Sequence, residues 1–423
     1  MVQRMVSIST LFLLLSLFNL SHSLPDGLRT ELIHVDAGRN YTKFELLQRM
    51  VQRSKTRRRY LASSDVTIPS FPSSGEYLIN ISIGTPAQPF VLTLDTGSDL
   101  VWTQCLPLIH YFNQSYPFFN PQKSSTFFYT PCEFELCNEI DISQPKCSTD
   151  NLCEYNSSYG DGSYTSGLLG KETFTLGAFE VTNMFFGCGN DNKGIFLSNE
   201  CGIAGFGRGN LSLVSQLGYG KFAYCFTSFG ESKSSPVLFG SSADLTRFEI
   251  GKIQSTPLLL NPIYTSYYYL TLNSITVGAE LLQIPESYFA VNRTDGSGGV
   301  IIDSGTSLTH FPNPVYEMVK SAFMSQVDLP VVPDQDLLCF DLTSTSLEEF
   351  QPPRFIFHFD GADFELPPQN YMELYPKTTI CLAMLSHRDP LTIIGNFQQQ
   401  NFHVLYDILG EELSFVRAQC DRL

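Results

Sequence analysis

Apolar residues along most of this chain come in short runs punctuated by glycine, proline, asparagine and serine. YLINISIGTP (77–86), FVLTLDTG (90–97), KETFTLG (171–177), YYYLTLNSITVG (267–278), GGVIIDSGTS (298–307) and NFHVLYD (401–407) are rich in β-branched and aromatic residues. Runs of this length and make-up predict strands. PVYEMVKSAFMSQV (314–327), with Pro314 near its start, predicts a helix, and SLVSQL (212–217) a shorter one. TKFELLQRMVQRSKTRRRYL (42–61) predicts a basic helix with Phe44, Leu47, Met50 and Val51 on one face. At the N-terminus Arg4 precedes LFLLLSLF (11–18), and the small-x-small triplet Ser21-His22-Ser23 follows. That is the pattern of a secretory signal peptide, residues 1–23, too short to span a bilayer comfortably. No other segment has a long unbroken apolar run, so no membrane association is expected once it is cut.

Composition narrows the class. The chain has 423 residues, with 43% hydrophobic and 16% charged, which predicts a globular protein of two or more core units. Aromatics at 13% favour β structure. A net charge of −16 argues against a nucleic-acid partner. Between Leu24 and Ser64 nine basic residues face four acidic ones, whereas from Asp65 onward 16 basic face 38 acidic. A surface helix is one reading of the basic stretch. A removable pro-segment, residues 24–70, held by charge on an acidic body is the other, and the preceding signal peptide favours it. Eleven cysteines suit an oxidising compartment, and the odd number leaves one over.

The chemistry comes from an internal duplication. VLTLDTGS (91–98) and VIIDSGTS (300–307) each run an apolar strand into Asp-Thr/Ser-Gly. Each half then carries two small or apolar residues before a glycine, Ile203-Ala204-Gly205 and Ile393-Ile394-Gly395. One such tripeptide is weak evidence, whereas two, each with its matching second element, are strong. Two neighbouring carboxylates share one proton, so one can take a proton from water while the other polarises a carbonyl. Gly97 and Gly305 let the turn backbone approach the carboxylates. The sequence has no H-E-x-x-H and no G-x-S-x-G, and GFGRG (205–209) reads as the tail of the apolar-apolar-Gly element.

With WTQC (102–105), FNQS (112–115), YGDGS (159–163), FGCG (186–189), HFDGADFELP (358–367), GNFQQQN (395–401) and AQC (418–420) added, the chain resembles the pepsin-like aspartic proteases of the plant nepenthesin type. The resemblance implies an all-β, bilobal acid-protease fold with pseudo-two-fold lobes and a central cleft. The N-terminal lobe is expected at 71–255 and the C-terminal lobe at 256–423. It implies catalytic Asp95 and Asp303, with the Ser98 and Thr306 hydroxyls on the outer carboxylate oxygens. It implies a flap with Tyr159 and a Gly160-Asp161-Gly162 tip, and Trp102 bonded to that tyrosine. Substrates would be extended peptides or proteins, with no cofactor, no metal and a monomeric enzyme in the extracellular space or the vacuole. The pro-segment would act as intramolecular inhibitor, released by self-cleavage near 60–75 at acid pH. The alternative is a catalytically silent relative acting as a glycosidase inhibitor or binding protein.

Cys132, Cys137, Cys147 and Cys153 lie within 22 residues, a spacing that could suit zinc, but the secretory context favours disulfides. The resemblance implies nested Cys132–Cys153 and Cys137–Cys147, together with Cys225–Cys420 and Cys339–Cys381. Nepenthesins carry three cysteines after the first aspartate, whereas here Cys105 stands with Leu108 and Tyr111 in the other two places. Cys105, Cys188 and Cys201 are left, which predicts one bridge and one free thiol among them. Glycosylation candidates are Asn80, Asn113, Asn156, Asn210 and Asn292, with Asn80, in a predicted strand, expected buried and bare.

Overall fold

The computed structural model describes residues 26–61, 76–140, 147–159, 162–194, 196, 200–229, 231, 233–247, 251–333, 336–375 and 378–423. The expected signal peptide, most of the expected 60–75 cleavage region, Gly160 and Asp161 lie outside the described residues.

Two lobes repeat one topology. In the first, Gln88–Asp95 pairs in parallel with Gly202–Gly205, and Trp102–Gln104 pairs in parallel with the Gly187–Gly189 part of the next strand. In the second, Val300–Ile302 pairs in parallel with Thr392–Ile394, and Thr309–Pro312 with Met384–His387. The sequence runs are longer than these strands because the Asp-Thr/Ser-Gly triplets leave the ladder as turns. Gly205 and Gly395 are required where the chain after each aspartate crosses over them. A Cβ on Gly205 would lie 2.2 Å from the Asp99 carbonyl oxygen, and one on Gly395 2.6 Å from the Leu308 carbonyl carbon.

A shared antiparallel sheet joins the lobes. Gly27–His34 pairs with Ser235–Gly240, which pairs with Lys221–Cys225. Lys221–Cys225 pairs across the lobe boundary with Phe402–Asp407, followed by Glu412–Arg417 and Gln254–Leu259. The first strand therefore comes from the expected pro-segment. Its strict alternation, with Leu28, Thr30, Leu32 and His34 buried, is a strand signal present in the sequence. A single apolar cluster built largely from these sheets extends from Leu28 to Phe415.

The basic helix spans Lys43–Leu61. Thr42 and Glu45 form a reciprocal capping box, Glu45 N–H to Thr42 Oγ1 at 3.2 Å and Thr42 N–H to Glu45 Oε2 at 2.8 Å. Leu46, Leu47, Met50 and Val51 are buried against Leu308, Leu337, Ala383, Leu385 and Phe397 of the C-terminal lobe and Phe229 of the N-terminal one. Leu46 was absent from the sequence-derived face, and the Phe44 side chain lies outside the described residues. Burial of four such side chains contributes on the order of 6 kcal/mol before ordering entropy is set against it.

The cysteine-rich insert corrects the nested pairing. The bridges are Cys132–Cys147 and Cys137–Cys153. The 3₁₀ turn Glu135–Glu139 carries Cys137 into the aromatic cluster of Trp102, Tyr155 and Tyr159, where fully buried Cys153 meets it. Cys132, buried in the same cluster, is bridged to exposed Cys147. Cys225–Cys420, Cys339–Cys381 and Cys105–Cys188 are bridged, and Cys201 is buried outside any disulfide, its thiol pushed up to about 11 by burial. Asn80 is also corrected: it is exposed, because it alternates with buried Ile79 and Ile81 on its strand. Asn113, Asn156, Asn210 and Asn292 are exposed too, and Asn210 Nδ2 donates to Glu139 Oε1 at 2.9 Å.

Candidate active site

Asp95 and Asp303 stand at the ends of equivalent strands, and both are almost fully buried. In each turn the glycine N–H returns to the aspartate. Gly97 N donates to Asp95 Oδ1 and Gly305 N to Asp303 Oδ1, both at 2.9 Å. Ser98 Oγ donates to Asp95 Oδ2 and Thr306 Oγ1 to Asp303 Oδ2, both at 2.5 Å. One oxygen of each carboxylate is thus fixed by backbone and the other by a hydroxyl. This sets the plane of each carboxylate before substrate arrives.

The two turns are tied directly together by residues that sequence reasoning missed. Thr96 N donates to Ser304 Oγ at 2.9 Å, and Ser304 N donates to Thr96 Oγ1 at 2.8 Å. Ser304 Oγ then donates to Leu94 O at 3.0 Å, and Asn396 Nδ2 donates to Ser304 O at 2.8 Å. The signal was in plain view, since the middle residue of each triplet carries a hydroxyl. These bonds bring residues 208 positions apart in sequence into one constellation.

Beneath the turns lies a buried tyrosine layer. Tyr224 OH donates to Gln399 Oε1 at 2.5 Å and lies 2.8 Å from Tyr406 OH. Burial raises both phenols well above their ordinary range, so they stay neutral through the acid and neutral range. The layer supplies polar, uncharged support under a pair that carries charge.

Tyr159 lies at the end of the hairpin Glu154–Ser158 and Tyr164–Leu176. Its backbone closes the tip: Gly162 N donates to Tyr159 O at 2.9 Å, and Tyr159 N to Ser163 O at 2.8 Å. Trp102 Nε1 donates to Tyr159 OH at 2.5 Å, with ring centroids 6.1 Å apart. Phe112 and Phe196 stack at 4.0 Å beside the indole. The side chain of Tyr159 is therefore held by the lobe body rather than left to swing with the hairpin.

A pair of carboxylates held this way can activate water without a covalent intermediate. The ionised member takes the proton of an attacking water, and the protonated member hydrogen-bonds the scissile carbonyl oxygen. The protonation state belongs to the pair as a unit. Among the described residues no group of three or more His, Cys, Asp or Glu gathers as a metal site.

Comparison with known proteins follows this geometry. Residues 77–241 match the family described as xylanase inhibitor N-terminal, and residues 267–417 match its C-terminal counterpart. The chain is 46% identical over 402 residues to aspartic proteinase nepenthesin-1 of Nepenthes gracilis, covering 93% of this chain and 90% of that protein. Nepenthesin-2 of the same plant is 43% identical over 403 residues, with 93% and 90% covered. Among solved structures, edgp aligns with a TM-score of 0.70 at 18% identity, covering 94% of this chain and 96% of the other. That last likeness speaks for the fold alone.

Proposed function

The chain belongs to the nepenthesin-type, pepsin-like aspartic proteases of plants and is an aspartic-type endopeptidase; from that premise we propose that it is secreted, made as a zymogen and active at acid pH, with Asp95 and Asp303 as its dyad. The observation that carries the dyad is the reciprocal bonding of Thr96 and Ser304, which joins two matching aspartate turns. Tyr159, Gly160, Asp161 and Gly162 form the substrate-covering flap in this reading, with Trp102 holding Tyr159 from the lobe body.

Support for the zymogen comes from where the basic segment docks. Its strand Gly27–His34 sits in the interlobe sheet, and Ser54 Oγ on its helix accepts the Leu308 N–H at 2.5 Å. Leu308 is five residues beyond Asp303. Lys43 Nζ lies 4.0 Å from Glu373 Oε1, an exposed cation over a buried carboxyl. Burial raises Glu373 above the usual carboxylate range, and Lys43 opposes that rise. As pH falls, Glu373 therefore takes up its proton early and Lys43 loses its partner. Secretion accords with the signal pattern and the disulfides, and the extracellular space or the vacuole supplies the acid setting. Among the described residues no helix is long and apolar enough to cross a membrane.

The test is acidification of the purified full chain. The expected result is self-shortening near residues 60–75 and cleavage of denatured protein, blocked by a statine-type transition-state analogue. Asp95→Asn and Asp303→Asn should each lose on the order of 10⁴-fold in kcat, the scale seen when a catalytic group is removed from other hydrolases. An acidified chain that cuts nothing, yet binds a glycanase, supports the silent-relative alternative instead.

A further inference from the structure

One motif has no role in the chemistry so far: GFGRG at 205–209, together with Asp99 just beyond the first triplet. The structure brings them together. Gly209 N donates to Asp99 Oδ1 at 2.8 Å, and Ser266 Oγ donates to Asp99 Oδ2. Three successive N–H groups of the loop are used here. Gly207 N donates to Ser98 O at 2.8 Å, Arg208 N to Ser266 O at 3.0 Å, and Gly209 N to the Asp99 carboxyl. Arg208 Nη1 also donates to Leu259 O at 2.9 Å, and Tyr268 OH to Phe206 O at 2.8 Å. The glycines are explained by the carboxyl itself. A Cβ on Gly207 would lie 2.3 Å from Asp99 Oδ1, and one on Gly209 2.3 Å from Asp99 Oδ2. Ser98, the residue before Asp99, is the hydroxyl donor to Asp95.

We propose that Asp99 is a positioning residue for Asp95, a carboxyl strut that fixes the first catalytic turn between the GFGRG loop of one lobe and Ser266 of the other. The proposal rests on the dyad reading above and adds a third carboxyl to it. The strut acts across the lobe boundary, because Ser266 lies just ahead of the Tyr269–Leu270 strand, which pairs with Val300–Ile302 and so leads to Asp303. Displacement of Asp99 therefore moves one aspartate relative to the other.

The charged and titratable groups facing Asp99 are Asp95, Glu139 and Tyr268, and Arg208 in turn faces Tyr268. Burial raises the Asp99 carboxyl, its bonds from Ser266 and Gly209 oppose that rise, and the charges of Asp95 and Glu139 add to it. Asp99 thus gains its charge late in the acid range. The repulsion between Asp99 and Asp95 is mutual, so the pH profile of the enzyme reports whether the Asp99 charge is present.

The experiment compares wild type, Asp99→Asn, Asp99→Leu and Ser266→Ala in the acid-activated enzyme, reading kcat, KM, thermal midpoint and the pH profile of kcat/KM. Asp99→Asn keeps an acceptor for Gly209 N–H and can donate to Ser266 but carries no charge. Its expected signature is a preserved thermal midpoint and an upper limb moved toward acid by roughly half a pH unit. Ser266→Ala keeps the charge and cuts the tie to the second lobe. It should lower kcat several-fold with KM and the limb unchanged. Asp99→Leu should lower kcat by about 10- to 100-fold, and the conservative asparagine should recover most of it. An unmoved limb in Asp99→Asn together with wild-type kcat in Ser266→Ala overturns the proposal, as does a fall in thermal midpoint with no change in either readout. Should Asp99→Leu not fold, Ser266→Ala and Asp99→Asn decide the matter alone. If wild type itself is inactive, the protease reading fails, which is a separate result.

Discussion

The two aspartate turns are alike inside and different outside. Around Asp95 and Asp303 the inner bonds match to the distance, glycine N–H at 2.9 Å and hydroxyl at 2.5 Å. Their outer supports share one bond, a loop N–H onto the carbonyl of the hydroxyl residue (Gly207 N to Ser98 O and Asn396 N to Thr306 O, both at 2.8 Å), and differ beyond it. The first turn is braced by Asp99, a carboxyl of the mature lobe bonded to Gly209 and Ser266. The second is backed by the basic helix, with Ser54 on Leu308 N–H and Leu46, Leu47, Met50 and Val51 over the same apolar seat. Duplication therefore kept what the reaction needs and let the scaffold around it diverge. One support is permanent, whereas the other leaves if the pro-segment is cut. Activation on this geometry acts through the second aspartate's side.

The sharpest way to break the inner symmetry is through its cross-bonds. Thr96→Val removes the acceptor of Ser304 N–H and the hydroxyl that bonds Tyr406. Ser304→Ala removes the acceptor of Thr96 N–H and the donor to Leu94 O. Each leaves a buried N–H unsatisfied, which costs about 1–3 kcal/mol. Each should also lower kcat by about 10- to 100-fold by loosening the turns. Steady-state kinetics should give equal losses within about threefold; grossly unequal losses would mean that the reciprocity is only geometric.

A second comparison concerns acid. His403 lies in the C-terminal half of the interlobe sheet, opposite Cys225. Burial pushes its imidazole down to about 4, with Asp244 opposing, so the folded state holds it neutral. The unfolded chain protonates near 6.5, so stability is intact above that pH, falls as pH drops towards about 4, and then levels off. Asp99 behaves oppositely: its raised carboxyl binds its proton more readily folded than unfolded, so acid relieves the burial of its charge. His403→Gln in an Asp95→Asn background, where self-cleavage is absent, should recover about 2 kcal/mol at pH 4.5 relative to pH 7 by chemical denaturation. Parallel pH dependence in parent and variant would place the acid sensitivity elsewhere.

The removable support makes a smaller prediction. Ser54→Ala deprives Leu308 N–H of its acceptor, worth about 1 kcal/mol. The full-length chain should convert itself roughly fivefold faster at a fixed acid pH. The shortened enzyme should keep wild-type kcat, since Ser54 is gone from it. Equal conversion rates by gel densitometry would show that the helix leaves before the bond is felt.

What was legible in the sequence follows the same division. The aspartates, their glycines and the apolar-apolar-Gly elements could be read because local backbone demands leave fixed tripeptides behind, whereas the roles of the Ser98 and Thr306 hydroxyls and the Trp102–Tyr159 bond came only from the family resemblance. The middle hydroxyls of Thr96 and Ser304 were visible as letters, but their use is a contact between distant segments. Asp99 and Ser54 were hidden for that reason. The cysteine insert shows the limit most clearly. Four cysteines in one loop allow more than one pairing, and the choice depends on which way the short turn at Glu135–Glu139 faces. The strand Gly27–His34 left its alternation in the sequence, exposed Arg29 and Glu31 between buried Leu28, Thr30 and Leu32, but the basic stretch around it drew the reading to charge instead.

The flap gives the smallest prediction and belongs to one lobe only. Asp161 follows Tyr159 by two residues in YGDGS, and the second lobe has no counterpart of that motif. If YGDGS is the flap, an ionised Asp161 repels acidic side chains in a bound peptide at a cost of about 1 kcal/mol. Asp161→Asn should therefore raise kcat/KM for peptides with Asp or Glu near the scissile bond by about fivefold, with neutral peptides unchanged. The gain should fade as pH drops below the ordinary aspartate range, where wild type is itself neutral. Competition between matched acidic and neutral peptides at two pH values reads this directly. Identical preferences at both would remove Asp161 from substrate selection and leave the flap's lobe asymmetry a matter of shape alone.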